Sequence, residues 1–73
     1  MNKTLYKMLK SSAEDDKAKA LLSLELLGDK SVGIGDHSTK DYWENCNEAL
    51  RLLSSSDERL ETLKKYFNKK EIL

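Results

Sequence analysis

No proline interrupts these 73 residues, and all three glycines, Gly28, Gly33 and Gly35, fall in one window near the middle. Helix breakers mark where a chain turns. Here they permit a single turn, flanked by long stretches rich in Leu, Ala, Lys and Glu, the residues with the strongest helix preference. β-branched side chains such as Val32, Ile34 and Ile72 are few, which argues against strands. The pattern predicts an all-α fold, an antiparallel two-helix hairpin with its turn at 28–38.

The second half carries the clearer periodicity. Tyr42, Cys46, Ala49, Leu53, Ser56, Leu60, Leu63 and Phe67 advance by alternating steps of four and three. This is the seam of a helix packed along one stripe. It predicts a helix over about 39–67, roughly 43 Å long, followed by a short tail, 68–73. Ser56 is the polar exception on the seam, and with Asp57 and Glu58 it offers a competing helix start. The unbroken spacing favours one helix.

The first half predicts a helix over about 3–27 with two alternatives at Ser11-Ser12. Ser12 followed by Ala13-Glu14-Asp15-Asp16 reads as a cap and an acidic first turn, which would start a new helix there. Otherwise the helix is continuous, and Tyr6, Leu9, Ala13, Asp16, Ala20, Leu24 (or Ser23) and Leu27 line its seam. Gly28 sits at the usual closing position of such a helix. Antiparallel pairing sets Leu27 against Tyr42, Leu24 against Cys46 and Asp16 near Ser56.

A chain this short is marginal alone and usually needs a staple. One cysteine, Cys46, excludes an internal disulfide, and one histidine, His37, leaves too few ligands for a structural zinc. No cofactor or metal is expected. Self-association into a helical-bundle homo-oligomer is the expected remedy. Leu21, Leu22, Leu26, Trp43 and Leu50 fall off the seams, and together they are the expected oligomer or partner interface.

Thirteen basic and thirteen acidic residues balance, which weighs against a nucleic-acid module. A local contact with phosphates through the open end, where Lys3, Lys7, Lys10, Lys64, Lys65, Lys69 and Lys70 gather, is a minor alternative. No apolar run approaches a membrane span, and the expected compartment is the cytoplasm.

The turn, with its Gly33-x-Gly35 pair, offers a second alternative. Backbone N–H groups before a helix, aided by Lys30, His37 and Lys40, can hold an anion, with Gly33, Gly35, Ser38 and Thr39 supplying donors. The third glycine of a dinucleotide motif and the Gly-Lys-Ser/Thr of a P-loop are both missing, and Asp36 and Asp41 oppose an anion. The plainer reading is structural, with Ser38 or Thr39 capping the second helix. No nucleophile, base and oxyanion donor come together in the pattern, so an enzyme is not expected.

The stretch Val32–His37 (VGIGDH) and the later Asp57–Phe67 (DERLETLKKYF) resemble small hypothetical proteins of large tailed bacteriophages. The likeness spans under a third of the chain, and Ser31 stands where those proteins commonly carry proline. The resemblance implies a phage accessory protein in the infected bacterium, binding a host protein or sequestering a signalling nucleotide.

Overall fold

The computed structural model describes residues 1–29 and 39–67. Two helices, α1 (Lys3–Asp29) and α2 (Thr39–Tyr66), form an antiparallel all-α hairpin. Among the described residues, no helix is long and apolar enough to cross a membrane.

α1 begins at an asparagine. The Leu5 N–H donates to Asn2 Oδ1 at 2.8 Å, satisfying one of the donors that a helix start leaves open. The competing start at Ser12 is not used, and α1 runs through Ser11-Ser12 without a break. A cap contributes about 1 kcal/mol, whereas a break there would separate Tyr6 from Ala13, Ala20 and Leu27 on the seam. Gly28 does not close the helix either. It lies inside α1, which extends to Asp29, and no glycine among the described residues has positive φ.

α2 passes through Ser54-Ser55-Ser56 as one helix. Asp41 stands in its first turn and Lys64 and Lys65 in its last, each sign matched to the helix dipole. Arg59 reinforces the serine segment, its Nε donating to the Ser55 carbonyl and to Ser55 Oγ, both at 3.3 Å.

The pairing of the helices is fixed by one contact at the turn end, where the Tyr42 hydroxyl donates to the Leu27 carbonyl at 2.7 Å. Stepping back by sevens on α1 and forward by sevens on α2 matches 20 with 49, 13 with 56 and 6 with 63. Every buried residue among the described ones falls on these steps: Ala13, Ala20, Ala49, Ser56 and Leu63. The sealed core is thus a single row of mostly small side chains. Small residues let two helices approach closely, but they bury little apolar area, which is what stabilises a fold. Ser56 is fully buried, and its hydroxyl donates to the Leu53 carbonyl at 2.9 Å. A buried polar group satisfied in this way escapes the cost of a lost hydrogen bond.

The second seam row is only partly covered. Leu24, Cys46, Leu53, Leu60 and Phe67 are half-buried. Leu9, expected on the seam, is 42% exposed. It lies one row aside from the line of Tyr6 and Ala13, near the open end.

Candidate functional site

Successive helical residues are about 100° apart, so positions seven apart share a stripe. On α2, Trp43, Leu50, Asp57 and Lys64 form one edge. Asn45, Leu52, Arg59 and Tyr66 form the other. Two ion pairs show which edge of α1 goes with each. Lys17 Nζ reaches Asp57 Oδ1 at 3.0 Å, and Arg59 Nη2 donates to Asp16 Oδ2 at 2.9 Å. The hairpin therefore has two distinct flanks.

The five residues expected to make one interface are all well exposed, from 46% at Leu21 to 64% at Trp43. They do not share a flank. Leu21 lies one turn beyond Lys17 and joins Trp43 and Leu50. Between them run the half-buried Leu24, Cys46 and Leu53, so among the described residues the tryptophan flank is apolar over the turn half of the hairpin. The Asn47 side-chain amide donates to the Trp43 carbonyl at 3.1 Å, which spends that polar group locally. Toward the open end the same flank becomes charged, with Lys10, Lys17, Asp57 and Lys64.

Leu26 lies on the opposite flank, and Leu22, one turn before it, projects toward the outer side. A groove of about 730 Å³ opens here between the helices, with Leu26, Leu27, Ala49 and Leu52 among its walls and Glu48 and Asn45 at its rim. A smaller groove of about 380 Å³, lined by Met1, Leu9, Leu63 and Phe67 among others, lies at the open end of the same flank. The Asp16–Arg59 pair separates the two. Leu52, Asp16 and Arg59 were not singled out as site residues from sequence. The signal was there, because Asn45, Leu52, Arg59 and Tyr66 step by sevens beside the seam, but only the pairing of the helices shows what that stripe faces.

Burial pushes the Tyr42 phenol above its ordinary 10.0, and the neighbouring Cys46 adds to the shift. The thiol is half-buried on the seam, the setting of a small packed side chain.

Of the expected anion site, Lys30, Gly33, Gly35, His37 and Ser38 lie outside the described residues. Thr39 and Lys40 are exposed in the first turn of α2. At the open end Lys3, Lys7, Lys10, Lys64 and Lys65 are exposed, and Lys65 Nζ lies 5.3 Å from the centre of the Tyr66 ring, while Lys69 and Lys70 lie outside the described residues.

Compared with family models, with curated proteins and with solved structures, the chain returns no match.

Proposed function

We propose that this chain is a non-enzymatic interaction protein that docks onto another protein through its tryptophan flank. The observation that supports this is the continuity of the patch. Exposed Leu21, Trp43 and Leu50 border half-buried Leu24, Cys46 and Leu53, with no intervening charge among the described residues. Contiguous exposed apolar surface of this kind marks interaction sites, and tryptophan is the side chain most enriched among residues that dominate binding energy. The resemblance of Val32–His37 and Asp57–Phe67 to small phage proteins supports a host-cell protein as the partner and the host cytoplasm as the setting.

The test compares the chain with a Trp43→Ala, Leu50→Ala variant as bait in extract of its native host. The expected result is a partner retained by the unaltered chain, lost by the variant, and bound again when both are purified. Removing two exposed anchors that become buried on binding lowers affinity by roughly tenfold or more. Equal binding by a variant that keeps full helicity would refute the assignment. So would turnover of a substrate abolished by Cys46→Ala.

A further inference from the structure

The groove flank has features of its own, separate from the partner reading. Its grooves are walled largely by apolar residues, with Arg51 and Glu58 also on their lining, and it carries four further charges with a particular arrangement. On α1 these are Asp16, which pairs with Arg59 of its own chain, and, one turn on, Lys19, which pairs with Asp15 of its own chain. On α2 they are Arg59 and, further toward the turn, Glu48. Asp16 is the middle residue of α1. The order along the flank from the open end is therefore acid then base on α1, and base then acid on α2.

We infer that this flank is a two-fold interface between two copies of the chain, with both turn ends at the same end and each α1 lying against the partner copy's α2. A two-fold axis running along the hairpin produces that arrangement. It brings each Asp16 toward the other copy's Arg59 and each Lys19 toward the other copy's Glu48. The opposite arrangement, with the hairpins head to tail, lays α1 on α1 and sets Asp16 near its own copy. Charge complementarity selects the first. The apolar ends agree with it. Leu26 of each copy meets the turn-side mouth of the other's 730 Å³ groove beside Asn45, and the open-end grooves, lined by Leu9 and Met1, close over each other.

Area agrees as well. A 28-residue helix is about 42 Å long and two packed helices about 20 Å across, so one flank offers on the order of 800 Å², about what each partner contributes to a stable complex. The need for a second layer is visible in the core, whose sealed row holds Ala13, Ala20, Ala49, Ser56 and Leu63, while larger leucines remain outside. The product is a four-helix bundle in which every neighbouring pair of helices is antiparallel.

Sedimentation equilibrium on the full chain, from micromolar to about a hundred micromolar, tests the association. The expected mass is twice the 8.4 kDa of the chain. Leu26→Glu and Leu52→Glu each weaken the dimer by about tenfold or more with helicity retained, and Leu50→Glu, on the other flank, leaves the mass unchanged. Lys19→Glu weakens the dimer and Lys19→Glu with Glu48→Lys restores it. Spin labels at residue 65, introduced by Lys65→Cys in a Cys46→Ser chain, read the orientation. Same-end packing keeps them within about 30 Å, and head-to-tail packing separates them by most of a helix length, about 40 Å. A helical monomer throughout that range, dissociation by Leu50→Glu but not by Leu26→Glu or Leu52→Glu, no rescue by the double charge swap, or the long label separation would each overturn the proposal.

Discussion

At Tyr42 one side chain ties the end of α1 to the start of α2. Its hydroxyl donates to the Leu27 carbonyl at 2.7 Å, one of the last carbonyls of α1, which have no partner further along the helix. Replacing it by phenylalanine keeps the ring and removes the bond, which destabilises the fold. The pH dependence identifies the origin. The phenol of the folded chain titrates above its ordinary 10.0, so the fold holds this proton more tightly than the unfolded chain does. The resulting stability is fully present below pH 10.0 and is lost as pH rises through the folded value. Lys19, raised above 10.5 by its hydrogen bond and charge pairing with Asp15, contributes with the same sign in both proteins and cancels in the difference. Urea unfolding of the unaltered chain and of Tyr42→Phe will therefore show a gap at neutral pH that narrows on the alkaline side. A gap that widens there would contradict the burial of the phenol.

The elements themselves differ in how plainly the sequence announces them. The α2 seam is legible without a structure, because its four-three spacing continues across Ser54-Ser55-Ser56 and outweighs the weak helix preference of serine. The expected contact of Leu27 with Tyr42 follows from aligning that seam with the one on α1. Two local signals on α1 pointed elsewhere. Ser12 has the chemistry of a cap, yet burial of Ala13 and Ala20 on one continuous row outcompetes it. Gly28 has the usual place of a closing residue, but closing a helix requires a left-handed φ that this glycine does not have. Composition alone does not disclose φ. The difference is measurable. A Cβ built at Gly28 meets nothing within 4 Å, so Gly28→Ala removes backbone freedom from the unfolded chain without strain in the fold. It should stabilise the protein by about 0.5–1 kcal/mol, read as a rise in the thermal midpoint at fixed concentration. A glycine needed for a left-handed turn would give the opposite sign. The leftover apolar residues of the candidate site were also legible, but their division between two flanks was not. That division depends on which α1 edge meets which α2 edge, and the Lys17–Asp57 and Asp16–Arg59 pairs supply it.

For the whole molecule, the two proposals assign the flanks different tasks, and a single residue can report on them. The proposed self-association through the groove flank would cover Leu26 and Leu52 and leave Trp43 outside, so the two-fold bundle would present its tryptophan patches on opposite outer faces. Two identical patches on one rigid body bind a multivalent partner with an avidity that neither patch has alone. Trp43 is the chain's sole tryptophan and is 64% exposed, so its fluorescence records only what happens on its own flank. Diluting the protein from about a hundred to about one micromolar should lower the mean mass, because association stabilises by mass action, while the emission maximum stays that of a water-exposed indole. Adding the docking partner should shift the emission to the blue and leave the dimer mass as the core of the complex. A blue shift that appears on self-association, before any partner is added, would mean that the tryptophan flank joins the two copies and the groove flank faces the partner.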